Sequence, residues 1–98
     1  MRTETACQAL RAGKCLAISY DGFTRIVEVH AVGFTKNENA VMRVWQVRGG
    51  SVSNESVGWK LLRLDEARAV AVTGEVSAAP RRGYKRIDGA MARVICQI

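Results

Sequence analysis

Histidine is almost missing from this chain: His30 is the only one among 98 residues. A single histidine leaves no room for an ordinary multi-ligand metal site, and few base–nucleophile relays survive without a second. The cysteines do not make up the shortfall. Cys7, Cys15 and Cys96 are odd in number and share no Cys-x-x-Cys spacing, which argues against a zinc framework. Each is flanked by apolar residues and reads as a small buried hydrophobe with a free thiol, which suits a reducing compartment. No apolar run approaches the roughly 18 residues of a membrane helix. Arg2 and Glu4 are followed by no apolar signal core, so the expectation is a cytoplasmic protein away from membranes. Gly49-Gly50-Ser51 lacks the Gly-Lys-Ser/Thr ending of a phosphate-binding loop and reads as flexibility. No repeat or low-complexity tract is present. No metal, cofactor or catalytic constellation is expected, and the chain reads as a non-enzyme.

What is present points to one small β-rich domain covering residues 1–98. An apolar fraction of 48% is ordinary for a globular chain. A protein this short buries only roughly 60–70% of its unfolded surface, so its core must be one layer pair or a small barrel. Fifteen Lys and Arg against nine Asp and Glu give a net charge of +6, which favours anionic partners.

Residues 3–12 have a helical pattern, with Thr3 or Thr5 as cap, Glu4 in the first turn and Gly13 as terminator. Its Ala6/Leu10 stripe needs a surface to dock on. Alternating or β-branched runs predict strands at 14–20, 23–32, 41–47, 61–64 and 67–73. Asp21-Gly22 is the strongest hairpin signal. Five strands with hairpin links predict a mainly β fold: a five-stranded SH3-like or Sm-like barrel over 14–73, partly open, with an N-terminal helix and an extension over 74–98. Within that extension, Asp88 predicts a turn of helix, and Val94, Cys96 and Ile98 alternate like a strand.

Three stretches carry a family resemblance. Arg25-Ile26-Val27-Glu28-Val29-His30 matches a strand with an Arg leading to a His-bearing turn. Lys60-Leu61-Leu62-Arg63-Leu64-Asp65-Glu66-Ala67 follows a basic-x-Phe-x-Leu-Asp-basic-Ile signature, with Glu66 where a basic residue is common, and Gly83-Tyr84 and Asp88 to Met91 match a short tail. Together they resemble the WYL-domain family, small Sm-like barrels of bacteria and their phages. Val29 stands where that family usually has Pro, and no DNA-binding winged helix precedes the match. The resemblance implies a stand-alone sensing module, linked to transcription regulation, that binds nucleic acid or a nucleotide-like effector and signals to a regulatory protein partner. It places Arg25, Lys60 and Arg63 at basic positions of the family and His30 after its turn.

The candidate contact set is therefore Arg25, His30, Arg43, Lys60, Arg63 and Tyr84, with Arg81, Arg82, Lys85 and Arg86 as a second basic patch. Guanidinium forks suit phosphate, and Trp45, Trp59 or Tyr84 offers a stacking face. Each has a plainer reading beside it. The arginines pair with Glu28, Asp65 or Glu66, His30 caps a backbone carbonyl, Trp45 belongs to the core and Tyr84 pins the tail. A second functional reading is an interaction module whose barrel edges pair with another copy or with an acidic protein.

Overall fold

The computed structural model describes all 98 residues. Its first element is the expected helix, α1 (Thr3–Ala12). Neither threonine caps it: Arg2 occupies the cap position without a side-chain bond, and Glu4 pairs with Arg2 at the surface. Gly13 ends the helix at φ 64, in the left-handed region that glycine enters at no steric cost. The helix buries Ala6, Cys7 and Ala9, so its small side chains let it lie close on the sheet.

Six strands follow: β1 (Lys14–Tyr20), β2 (Phe23–Phe34), β3 (Ala40–Gly49), β4 (Gly58–Arg63), β5 (Arg68–Val76) and β6 (Arg93–Gln97). Asp21 and Gly22 take φ of 50 and 79 between β1 and β2, the paired positive values that a two-residue hairpin with matching twist requires. All pairings are antiparallel, in the order β4-β3-β2-β1-β5. β6 adds to the far half of β2, which is long enough to serve β1 first and β6 afterwards.

The mainly β expectation holds, but the partly open five-stranded barrel is corrected to an open six-stranded sheet, because no ladder joins β4 to β5. The sheet still curls. β4 and β5 lie at opposite ends of the strand order, yet a single 3-10 turn (Leu64–Glu66) connects them. The sixth strand was expected only as an extended end. It forms because Gly33 leaves a gap: a side chain there would collide with the Arg93 carbonyl and the Met91 sulfur. Gly49 likewise meets the Thr24 backbone and Gly50 the Phe23 ring, so these two glycines serve close packing rather than loop flexibility.

The inner face of the curl carries the core. Leu16, Ile18, Tyr20, Val27, Val29, Val32, Met42, Val44, Leu62 and Leu64 pack there with Ala6, Cys7 and Ala9 of α1. β2 is buried continuously from Val27 to Gly33, so both of its faces are covered. The second cover is the tail between β5 and β6.

The free-thiol reading also needs correction. Cys7 of α1 and Cys96 of β6 form a disulfide across a sequence separation of 89, and only Cys15 is free and buried. Their spacing held no hint of this. Cys96 faces inward opposite Val32, beneath the helix, and only the topology brings the two sulfurs together. The inference from unpaired thiols to a reducing compartment falls with it.

A cross-link closing so long a loop stabilises by on the order of 4–5 kcal/mol in the chain-entropy description. Cys7→Ser is therefore expected to lower the urea midpoint strongly. Reductant should bring the wild type down to the variant while leaving the variant unchanged. Equal midpoints for oxidised and reduced wild type would contradict this pairing.

Candidate binding surface

Residues directly opposite in an antiparallel ladder share a face, and this sorts the expected contact set into two groups. Arg25 lies opposite Ile18, and Lys60 opposite Val44, so both belong to the core side. Arg43, Trp45, Trp59, Leu61 and Arg63 belong to the outer side. The six candidates do not converge over one concavity.

Arg25 is only 2% exposed. Its Nε and Nη2 donate to the Tyr20 carbonyl at 3.3 and 3.2 Å, and Nη1 donates to Gln46 Oε1. Its guanidinium also sits 5.1 Å from the Tyr20 ring centre. This arginine closes one end of the core and offers a ligand nothing. Lys60 ties the 51–57 loop through Ser51 and Ser53 Oγ at 3.1 and 3.2 Å. Arg63 is exposed but clamped by both Asp65 oxygens, at 3.0 and 2.7 Å. The Arg63 hydrogen bond holds the Asp65 carboxyl below its ordinary range.

The outer side is organised by a carboxylate in an otherwise apolar strand. Glu28, 1% exposed, accepts from Arg81 Nε at 2.7 Å, Arg81 Nη2 at 3.2 Å and the Ala78 N–H at 2.6 Å. Burial alone would raise its pKa; these bonds more than offset it, and the carboxyl sits below its ordinary value. Arg81, expected in the free basic patch, is thus drawn down onto β2 and also stacks 5.5 Å from the Trp45 ring.

His30 is the extra residue of a β-bulge between Val29 and Ala31. Its Nε2 accepts the Arg81 N–H at 2.9 Å, so Nδ1 must carry the proton and donate to the Glu28 carbonyl at 2.9 Å. The ring is neutral, fully buried and committed at both nitrogens. Burial pushes its pKa below the ordinary value. The bulge frees the His30 carbonyl, which accepts from the Ile98 N–H and the Tyr84 hydroxyl. Tyr84 therefore pins the tail, and His30 is a structural residue rather than a contact.

Around His30 the aromatics interlock. Trp59 meets it edge-on at 4.7 Å, Trp45 meets Trp59 at 5.4 Å and 89°, and Tyr84 lies 6.3 Å from Trp59 at 28°. Trp45 is half-buried beneath the tail, outside the main core. Trp59 Nε1 donates to the Arg82 carbonyl. Arg43 reaches Asp88 with Nε at 2.7 Å and Nη2 at 3.1 Å, and that hydrogen bond lowers the Asp88 pKa. Between the sheet and the tail there remains an open groove of about 180 Å³, lined by Arg43, Trp59, Tyr84, Lys85, Ile87 and Asp88 among others.

The groove unites Arg43, Tyr84 and Lys85 of the expected residues with Trp59, the expected stacking face, and adds two that were missed. Asp88 read as a helix cap, and Ile87 had no signal. Of the second basic patch, Arg82 and Lys85 are exposed without acidic partners, and Arg86 donates Nε to the Ile98 carbonyl. No group of three or more His, Cys, Asp and Glu side chains is placed to hold a metal. No helix is long and apolar enough to cross a membrane. No protein-family model, curated protein or solved structure matches the chain.

Breaking a buried charge pair from one side leaves the other charge uncompensated. Arg81→Met is expected to cost about 3 kcal/mol in urea unfolding. Adding Glu28→Gln should recover part of that loss; full additivity would mean that the two residues are not coupled.

His30 and Glu28 also set an acid limit. Both hold their protons less tightly when folded, so the unfolded state binds more protons and stability falls as pH drops. The decline should begin near the ordinary histidine value of 6.5 and steepen below the ordinary glutamate value of 4.5. Urea midpoints should be level between pH 7 and 8, before Cys15, Tyr20 and Tyr84, whose pKa values burial raises, begin to matter, and His30→Gln should remove the upper limb only. A pH-independent wild type between 7 and 5 would contradict the assignment of a neutral His30.

Proposed function

We propose that this chain is a non-enzymatic binding module for nucleic acid or a nucleotide-like anionic effector, acting through the tail loop and groove on its outer side. The WYL resemblance supports the ligand class and the regulatory setting. The carrying observation is local: Arg82, Lys85 and Arg86 are exposed within five residues, free of acidic partners, beside the Trp59 and Tyr84 rings. Uncompensated cations beside aromatic rings combine phosphate attraction with a stacking surface. Arg43, held rigid by Asp88, leaves Nη1 without a partner at the groove wall. The strand cations Arg25, Lys60 and Arg63 have no part in this reading, because Arg25 and Lys60 belong to the core side of the sheet and Asp65 neutralises Arg63.

A salt titration against single-stranded RNA, single-stranded DNA, duplex and mononucleotides tests it. Binding should weaken steeply with salt. Arg82→Ala/Lys85→Ala should weaken it for all sequences alike and reduce the logarithmic salt slope by about one per lost phosphate contact. Arg63→Ala should leave it unchanged. No binding to any of these anions at low salt, or full binding by the double variant, would overturn the proposal.

A further inference from the structure

The two end strands of the sheet are not equally protected. β5 pairs with β1 through two register shifts, and Ala69 on it takes φ 49. Such irregularities twist an edge away from further pairing. β4 is the more regular of the two, with a positive φ only at Gly58, its first residue. Its ladder with β3 runs without a shift from Val41↔Arg63 to Gln46↔Gly58, and it contains no proline.

Its outward backbone groups can be identified. The Arg63 N–H donates to the Tyr20 hydroxyl at 3.0 Å, so Arg63 turns away from β3. Alternation along a strand then turns the N–H and C=O of Leu61 and Trp59 the same way. Leu61 and Trp59 also project their side chains to the outer side, where the groove lies beside Trp59. Leu61 is 38% exposed and Ile87, on the groove wall, 92%. An engineered cavity of about 150 Å³ holds a benzene molecule, so a groove of about 180 Å³ has room for one apolar side chain.

We infer that the β4 edge accepts an extended segment of an acidic protein partner, pairing with the Trp59 and Leu61 backbone, seating one apolar side chain in the groove and setting acidic side chains two positions away, on the same face of the added strand, against Lys85 and Arg82. Edge addition draws affinity from main-chain hydrogen bonds and specificity from pockets for alternate side chains. Lys85 and Arg82 supply the charge complementarity, since neither has an acidic partner within the chain. This surface goes beyond the nucleic-acid reading by adding the β4 edge, and shares Arg82, Lys85 and the groove with it.

The probe is a ten-residue synthetic peptide with leucine and glutamate taking turns along one face and threonine between them on the other, prepared in two N-methylated forms. One form is methylated at alternate residues on one edge, the other form on the opposite edge. Amide spectra of the labelled protein should show the Trp59 and Leu61 N–H groups shifted and protected from exchange. One methylated form should lose affinity about tenfold or more, because its donors toward β4 are gone, and the other should bind like the parent. Ile87→Ser, a change at an exposed side chain, should weaken the parent peptide. Equal binding by both methylated forms would reduce the contact to charge attraction and overturn the inference. So would no binding at millimolar peptide, or protection of these two amides by an oligonucleotide and not by the peptide.

Discussion

A single carboxylate in a hydrophobic strand governs how this molecule is put together. Glu28 sits on the strand that is covered on both sides, and an ionised carboxyl there costs several kcal/mol unless its oxygens are met by donors. Three donors meet it, and all come from the tail: two from Arg81 and one from Ala78. The tail must therefore lie over the outer side of the sheet, in one register. The Arg81 N–H extends the constraint to His30, whose tautomer is then decided by its two partners. The groove is a consequence of this docking, since its far wall is tail and its near wall is β3 and β4.

The end of the chain is held again, by independent means. Ile98 and Tyr84 both bond the carbonyl that the His30 bulge frees, and Cys96 is bonded to the helix on the opposite side of the sheet. A bulge is costly where it orphans a carbonyl, and here the orphan becomes the anchor point of two later residues. Covering the second face of β2 in this way is how a 98-residue chain gains buried surface that one core would not supply.

Local signals in the sequence were reliable where a rule of short range applied. The helix over residues 3–12, its glycine terminator, the Asp-Gly hairpin and the first strand stand where periodicity and turn chemistry place them. Residue types with two uses were not legible. Arg25 and Arg81 read as surface cations, yet one closes the core and the other neutralises Glu28, and only the faces assigned by strand register tell these roles apart. Cys7 and Cys96 stand at opposite ends of the chain, so nothing short of the tertiary topology could pair them. The five-stranded barrel failed as an expectation because short strands specify neighbours along the sheet, not how far it curls or whether a sixth strand joins it.

Net charge is the weakest of the sequence signals and becomes informative only after the ion pairs are removed. Seven of the fifteen cations are matched to carboxylates within the chain. The eight that remain are Arg11, Lys14, Lys36, Lys60, Arg68, Arg82, Lys85 and Arg86, and only the last three cluster within five residues. Exposed charges separated by more than about 8 Å are largely screened at physiological salt, so scattered cations do not add up to a site. A cluster does. This cluster lies on the segment that Glu28 draws down, next to a groove and a regular sheet edge, so the unpaired charge, the groove and the free edge meet on the outer side through one buried carboxylate.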